Sequence, residues 1–350
     1  MSRRRTPKLP SWLPIDPYIL ALLATVLLAA LLPASGTAAQ VAGGASTGAV
    51  ALLFFLYGAR LSTREALDGL RHWRLHLTVL TATFVVFPLL GLAASHGLQP
   101  LVLTSELAAG LLFLCLVPST IQSSIAFTSM ARGNVPAAIC AGSFSSLAGI
   151  VLTPLLAALL LGGGAGGFSA DSLLKIVLQL AAPFLAGQLL RRWVGGLLAR
   201  HKQALGFVDR GSILLVVYTA FSEGMVQGVW HQVTPARLGA LLAVEALLLA
   251  AMLTLTWFGA KRLGFGRGDR IAVQFAGSKK SLAAGLPMAA VLFGAQASLA
   301  ALPLMLFHQM QLMVCAVIAK RRGSDAQASE PPASTGARTP GRRVPEPTGV

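Results

Sequence analysis

The sequence predicts an all-α polytopic membrane protein with ten transmembrane helices, arranged as two inverted five-helix repeats. Its 350 residues are 55% hydrophobic and only 11% charged, a balance typical of chains whose helices lie in lipid. Stretches of about 20 apolar residues, the length that crosses a bilayer, recur along the chain. They lack the alternating polar positions that helices of a soluble core present to water.

The net charge of +16 first suggests a nucleic-acid partner, but the distribution of the charge does not. The basic residues lie between the apolar stretches rather than in one patch, and no RNA-binding or DNA-binding motif accompanies them. The three cysteines lie inside apolar stretches without metal-ligand spacing. No nucleophile–base pair is recognisable. We therefore expect no nucleic acid, no cofactor, no metal and no enzymatic activity.

Ten apolar windows define the predicted helices and their pairing. The windows are 17–33, 40–60, 74–94, 106–131, 134–161, 172–192, 208–230, 236–260, 269–294 and 299–319. Because each half has five spans, the second half enters the membrane from the opposite side, as in the inverted repeats of secondary transporters. The predicted organisation is a basic cytoplasmic segment (1–16), a first repeat (17–161), a Gly-rich outer loop (162–171), a second repeat (172–322) and a disordered cytoplasmic tail (323–350).

The basic residues also predict the orientation. If the N-terminus is cytoplasmic, most of the 28 Lys and Arg residues fall on the cytoplasmic side, as the positive-inside rule requires. We therefore expect both termini to be cytoplasmic, in a bacterial-type inner (plasma) membrane. The first window also has the pattern of a signal peptide, with a basic start, an apolar run and small residues at 34–39. Cleavage there would leave nine spans and disrupt the pairing of the two halves.

Two adjacent lysines interrupt the ninth window, in the segment Gly277-Ser278-Lys279-Lys280-Ser281. If this segment were a loop, the apolar stretch after it would be too short to cross a bilayer. If the window is one span, each ammonium near the membrane centre costs about 2.5 to 3.5 kcal/mol. Such a cost persists only where water, a counter-charge or an anionic ligand meets the lysine. We predict a helix break at Gly277 and a binding site made by Gln274, Ser278, Lys279, Lys280 and Ser281.

The fourth window is interrupted at a matching position. Pro118 removes a backbone donor, and the polar residues that follow can satisfy the freed backbone groups. Broken segments at corresponding positions of two halves are the best sequence pointer to a transporter's binding site, because half-helix ends bind ions and anionic groups. The predicted site therefore also contains Thr120, Gln122, Ser123 and Ser124, with a helix break at Pro118.

Two acidic residues lie within predicted spans, Glu223 and Glu245. Either could pair with Lys279 or Lys280 and lower the cost of burial, or could form an ion pair with a purely structural role. Hydroxyl and Gln neighbours make Glu223 the predicted site residue. Glu245, among Ala and Leu, is predicted to make an interhelical contact. In the tenth window, His308, Gln309 and Gln311 are predicted to form interhelical hydrogen bonds.

Four stretches carry a resemblance to a known family. They are Ala131-Arg132-Gly133-Asn134 after the fourth window, the break from Pro118 to Ser124, the stretch from Tyr218 to Glu223, and the segment from Phe275 to Pro287. Together they resemble the SBF-like branch of the bile acid:sodium symporter superfamily. The resemblance covers all ten windows. It implies a panel domain (helices 1, 2, 6 and 7) and a core domain (helices 3–5 and 8–10), with helices 4 and 9 crossing where they unwind. Sodium would bind beside the crossing, and an organic anion between the domains.

The chain departs from the sodium-binding pattern of that family. Sodium-coupled relatives carry a glutamate followed closely by Gln or Asn in the ninth helix, whereas here Phe275 stands near the acid's place and Lys279 and Lys280 replace the amides. Ser123 and Ser124 still match ligand-bearing positions of the fourth helix. Because a sodium site needs oxygen ligands, we expect a lysine ammonium to replace the cation, with coupling to protons or to no ion.

These observations predict a secondary transporter of a small organic anion that works by alternating access. Its expected partners are the anionic solute, the lipid bilayer, and a proton or, less readily, sodium as coupling ion. The alternative is a membrane regulator or solute sensor with the transporter fold and no flux, because fold alone does not determine activity.

Overall fold

The computed structural model describes residues 17–60, 72–98, 103–161, 170–228, 230 and 233–328, and in these ranges the chain is helical without any strand. The α-helices are α1 (Pro17–Leu31), α2 (Gly36–Arg60), α3 (Trp73–Thr81), α4 (Phe87–Leu98), α5 (Ser105–Leu116), α6 (Gln122–Met130), α7 (Val135–Leu161), α8 (Ala170–Arg200), α9 (Lys202–Val226), α10 (Pro235–Arg262), α11 (Arg267–Gly277), α12 (Leu282–Phe293) and α13 (Ala297–Ala328). A π-helix (Ala82–Val86) joins α3 to α4, and a 3₁₀ turn (Gly294–Gln296) precedes α13.

In the part of the chain that the structure describes, seven helical segments are long and apolar enough to cross a membrane. They are Gly36–Arg60, Trp73–Gly97, Val135–Leu161, Leu174–Leu198, Gln203–Val226, Pro235–Arg262 and Ala297–Ala326. Large apolar side chains such as Leu159 and Leu189 are about three-quarters exposed, as expected where lipid covers them. The prediction of an all-α membrane protein is confirmed.

Three predicted spans appear in shorter pieces. Helix α1 has 15 residues, the fourth window is divided into α5 and α6, and the ninth into α11 and α12. None of these four halves reaches the roughly 20 residues that a spanning helix needs. The count of ten spans requires that α5 and α6 together form one interrupted span and that α11 and α12 form another. The count and the inverted repeat therefore stay predictions.

The predicted boundaries between segments fall partly outside the described residues. The N-terminal segment 1–16 and most of the Gly-rich loop lie there, since α8 begins at Ala170. At the other end, α13 continues to Ala328, so the first residues of the predicted tail belong to this helix, and residues 329–350 lie outside the described ranges.

Helices α2 and α8 approach each other closely enough for their backbones to touch. A Cβ atom added to Gly58 would lie 2.0 Å from the carbonyl oxygen of Phe184, and one added to Gly187 would lie 2.0 Å from that of Phe55. Small residues permit such close approach between membrane helices. The core lies around the two interrupted segments, where Phe113 and Phe275 are fully buried.

Candidate functional site

The two helix breaks contact each other directly. The carbonyl oxygen of Pro118 accepts a hydrogen bond of 2.9 Å from the backbone nitrogen of Ser281. The hydroxyl of Ser119 donates to the carbonyl of Ala276, and the hydroxyl of Ser124 donates to that of Phe275 over 3.1 Å. The breaks between α5 and α6 and between α11 and α12 therefore form one crossing, in which polar groups freed from the helices satisfy each other.

The sequence around Pro118 explains the first break. Val117 is extended, with φ −70° and ψ 154°, because a residue before proline is driven away from helical geometry. Helix α7 supplies two hydroxyls to the exposed backbone. Thr153 donates to the carbonyl of Leu116 over 2.9 Å, and Ser145 accepts from the nitrogen of Ser119 over 2.9 Å.

The second break is stabilised by two serines. At the end of α11 the hydroxyl of Ser278 donates to the carbonyl of Gln274 over 2.6 Å. At the start of α12, Ser281 is extended and its hydroxyl accepts from the nitrogen of Ala284 over 3.2 Å. Serine at this position caps a helix N-terminus. The two lysines occupy the unwound backbone between these caps.

Lys280 is fully buried and its ammonium is bound by three backbone carbonyls. Nζ donates to the oxygens of Thr83 at 3.0 Å, Cys115 at 2.7 Å and Val117 at 2.8 Å, and lies 4.3 Å from the centre of the Phe87 ring. An ammonium has three N–H donors, so all of them are satisfied. Two of the acceptors lie at the C-terminal end of α5, where the helix dipole is negative.

The carbonyl of Thr83 comes from the π-helix, a feature that sequence reasoning missed. Residues 82–86 read Ala-Thr-Phe-Val-Val, and Pro88 shortly after them is a signal in the sequence, because it has no N–H to bond the Thr83 carbonyl five residues earlier. π-Helical turns disturb the regular helix ladder and are frequent at functional sites. Here the irregular turn faces the Lys280 ammonium, so a third element joins the crossing of the two broken segments.

Gln311 of α13 holds the backbone of Lys280 at both of its polar groups. Its Oε1 accepts from the Lys280 nitrogen over 2.9 Å, and its Nε2 donates to the Lys280 oxygen over 2.8 Å. Nε2 also lies 2.8 Å from Nδ1 of His308. Gln311 thus makes an interhelical contact of the predicted kind, but its pairing with the lysine segment was not visible in the sequence.

Lys279 has a different environment, although it is also fully buried. Its Nζ donates to the hydroxyl of Ser123 over 2.9 Å and lies 4.3 Å and 5.8 Å from the ring centres of Phe127 and Phe275. Ser123 in turn donates to Thr120 over 3.5 Å, and both hydroxyl residues are half-buried. Within the described residues, Lys279 therefore has one hydrogen-bond acceptor for its three donors.

Three other predicted site residues make no hydrogen bond to either lysine in the described part of the chain. Gln274 is buried and donates to the carbonyl of Leu253 over 2.9 Å, whereas Gln122 is exposed at the start of α6. Glu223 is exposed in the last turn of α9, where Gln227 donates to it over 3.4 Å. The structure does not bring Glu223 to the crossing, because it lies at the end of its helix and on its surface.

The second acidic candidate does not pair with a lysine either. Glu245 is fully buried, and neither of its carboxyl oxygens has a hydrogen-bond partner among the described residues. In those same ranges no three His, Cys, Asp or Glu side chains come together as metal ligands would. Backbone carbonyls at the crossing could hold a cation, but in this structure they bind the ammonium of Lys280.

The sequence is similar to those of known proteins over most of its length. Residues 16–323 match the SBF-like CPA transporter family. The chain is 56% identical over 325 residues to the "Uncharacterized protein PA2026" of Pseudomonas aeruginosa, covering 91% of this chain and 97% of that protein. It is 48% identical over 308 residues to the "Putative symporter YfeH" of Escherichia coli, covering 88% and 92%.

A vertebrate relative is more distant. The chain is 31% identical over 276 residues to the "Sodium/bile acid cotransporter 7" of Xenopus tropicalis, covering 77% of this chain and 80% of that protein. The extent of the family match and these identities confirm the resemblance drawn from the residues around Pro118 and Lys279. This protein belongs to the SBF-like CPA transporter family.

Proposed function

We propose that this protein is a secondary transporter of a small organic anion, in which the ammonium of Lys280 replaces a bound cation. The observation that carries the proposal is the binding of Nζ by the carbonyls of Thr83, Cys115 and Val117. Oxygen ligands of this kind are those that hard cations use. Since a side chain already supplies the positive charge, the crossing is stabilised without sodium.

The contacts between helices support an inverted repeat. In the first half, α4 packs on α5 and α6 packs on α7. The equivalent helices of the second half make the same contacts, since α10 packs on α11 and α12 packs on α13. Across the halves, α5 contacts α13 as α11 contacts α7, and α2 contacts α8 as α9 contacts α1. Such a relationship between halves is the basis of alternating access in many transporters.

Lys279 is the proposed contact for the anion. Two of its N–H donors have no acceptor among the described residues, whereas all three of Lys280 are occupied. Helices α6 and α12 also begin beside the crossing, and helix N-termini attract negative charge. Ser123 and Thr120 connect Lys279 to the half-buried surface of α6, which gives the solute a polar route to the ammonium.

The burial of both lysines supports alternating access. A solute reaches Lys279 only when the groups that cover it move. We propose that α1, α2, α8 and α9 form the panel and that the remaining helices form the core that moves against it. The coupling ion is a proton, or no ion is coupled.

The test begins with thermal unfolding of the full chain against a panel of anionic metabolites, in sodium chloride and in choline chloride. We expect at least one anion to raise the midpoint equally in both salts, and Lys279→Gln to abolish this response. A midpoint that rises only in sodium would contradict the cation replacement. The stabilising anion is then used for uptake into proteoliposomes. Specific binding without accumulation or exchange would refute transport and favour a solute sensor.

A further inference from the structure

Three arginines meet at the end of the molecule where α11 begins and α13 approaches its end. The guanidinium carbon of Arg322 lies 3.3 Å from the centre of the Trp257 ring, and that of Arg270 lies 4.8 Å from it. Arg267 donates to the carbonyl oxygen of Arg322 over 2.7 Å. We call Arg267, Arg270, Arg322 and Trp257 the arginine cluster.

No ion pair with a described residue neutralises the positive charge of the arginine cluster. In the described ranges, no carboxylate lies within 4.0 Å of the guanidinium nitrogens of Arg267, Arg270 or Arg322. Asp269 is nearby in sequence, but its carboxylate accepts from the side chain of Asn134 over 2.7 Å. Asp325 acts on Arg322 electrostatically from an exposed position. Among the described residues, the cluster therefore holds more positive charge than the nearby acids neutralise.

The hydrogen-bonding capacity of the cluster is also unfilled. Arg267 uses its donors on the carbonyls of Ala131, Arg132 and Arg322. By contrast, Nε of Arg270 and one terminal nitrogen of Arg322 are buried without an acceptor among the described residues. Both guanidinium groups lie over the Trp257 ring, and both arginines are half-buried. A guanidinium has five N–H donors in a planar fork, a geometry that matches a phosphate group.

The surroundings identify where such a phosphate would come from. Leu255 and Phe258, on either side of Trp257 in sequence, are 48% and 53% exposed. Lys261 and Arg262 follow them at the exposed end of α10. A tryptophan between apolar and basic residues is typical of the membrane–water interface, and basic pockets between membrane helices bind the headgroups of anionic lipids.

We propose that the arginine cluster binds the phosphate of an anionic phospholipid. The guanidiniums of Arg270 and Arg322 hold the phosphate, and Leu255 and Phe258 contact the acyl chains. Arg267 links this site to the crossing, because it bonds the carbonyls of Ala131 and Arg132 directly after α6 and itself begins α11. Lipid binding therefore stabilises the end of α6 and the start of α11, the ends of the two broken segments that lie away from the crossing.

Thermal unfolding of the full chain in detergent tests this site without a transport substrate. Added phosphatidylglycerol should raise the midpoint well above the value in phosphatidylcholine, because a ligand that binds only the folded state stabilises it. The double variant Arg270→Gln/Arg322→Gln should lose most of that difference. The control Lys320→Gln/Arg321→Gln removes the same charge from exposed neighbouring positions and should keep most of it.

Three outcomes would overturn the proposal. One is an equal loss in both double variants, which would indicate only general attraction between a basic surface and anionic lipid. Another is an equal shift with inorganic phosphate, which would make the site one for a free anion. The third needs no variant and holds even if the double variant fails to fold: native mass spectrometry that finds no preference of the wild-type protein for phosphatidylglycerol over phosphatidylcholine.

Discussion

The side chain of Gln311 pairs with both backbone polar groups of Lys280, at 2.9 Å to its nitrogen and 2.8 Å to its oxygen. The amide thus replaces the helix partners that the unwound backbone has lost. Because Gln311 belongs to α13, the position of the Lys280 ammonium depends on the register of a helix that was not predicted to contribute to the site.

Replacing Gln311 by leucine should destabilise the protein. The substitution leaves the buried N–H and C=O of Lys280 without partners, and each unsatisfied group costs about 1 to 3 kcal/mol. The midpoint of thermal unfolding in detergent measures the effect. Gln309→Leu is the matched control, because the Gln309 amide oxygen is already buried without a partner in the described residues, so its removal should be neutral or stabilising. Equal losses in the two variants would disagree with the special role of Gln311.

Removing the Lys280 ammonium should cost more stability than any other single change at the crossing. Lys280→Met leaves three carbonyls without a donor, so we expect a loss of about 3 kcal/mol or more together with loss of uptake. Lys280→Arg should also fail, because the larger guanidinium does not fit a fully buried position. Denaturant or thermal unfolding measures the stability. Wild-type stability of Lys280→Met would show that these contacts are unimportant.

Lys279 should be more important for function than for stability. Lys279→Gln removes one hydrogen bond, to Ser123, and leaves no set of carbonyls unpaired, so we expect a loss of about 1 kcal/mol or less. Binding of the stabilising anion should nevertheless be lost, which calorimetry would detect. If Lys279→Gln unfolds as easily as Lys280→Met, the division of roles between the two lysines is incorrect.

The contact between α2 and α8 should not tolerate a methyl group. Gly58→Ala places a carbon 2.0 Å from the Phe184 oxygen, so the helices must separate, and we expect a lower unfolding midpoint. Gly48→Ala, in the same helix, meets nothing within 4 Å and should be stabilising by up to about 1 kcal/mol, because alanine favours a helix. A midpoint for Gly58→Ala that matches the Gly48→Ala control would show that this close approach is not maintained.

Glu245 should be replaceable by its amide. Both carboxyl oxygens are buried without a partner in the described part of the chain, so the acid gives no contact that glutamine would lose, and a neutral side chain is easier to bury. We expect Glu245→Gln to unfold at a midpoint equal to or above that of the wild type. A fall of several degrees would instead reveal a partner for the carboxylate.

Much of the crossing was predictable from the sequence because its chemistry is costly. A proline followed by hydroxyl residues and a lysine pair inside an apolar window both contradict a continuous membrane helix, so Pro118 and Lys280 marked the breaks. Their matched positions in the two halves predicted that the breaks belong to one site. The structure brings Ser123, Ser124 and Ser281 to the crossing, and their role in binding a solute stays a prediction.

The partners of the lysines could not be predicted in the same way. The Lys280 ammonium binds backbone carbonyls, which every residue carries, so sequence gives no sign of them. Pro88, which cannot donate to the Thr83 carbonyl, marks the π-helix, but nothing in the sequence indicates that this carbonyl faces Lys280. Glu223 was favoured because of its polar neighbours, yet whether an acid meets a lysine depends on the length and position of α9, which composition does not determine.

Whether the Lys280 ammonium occupies the crossing in place of a cation is tested most simply by an experimental density map of the full chain in a lipid nanodisc, at a resolution that shows side chains. We expect Nζ of Lys280 to lie within hydrogen-bonding distance of the carbonyl oxygens of Thr83, Cys115 and Val117, with no ion between them. A map in which Lys280 extends into an aqueous cavity while those carbonyls bind a metal ion or water would contradict this expectation.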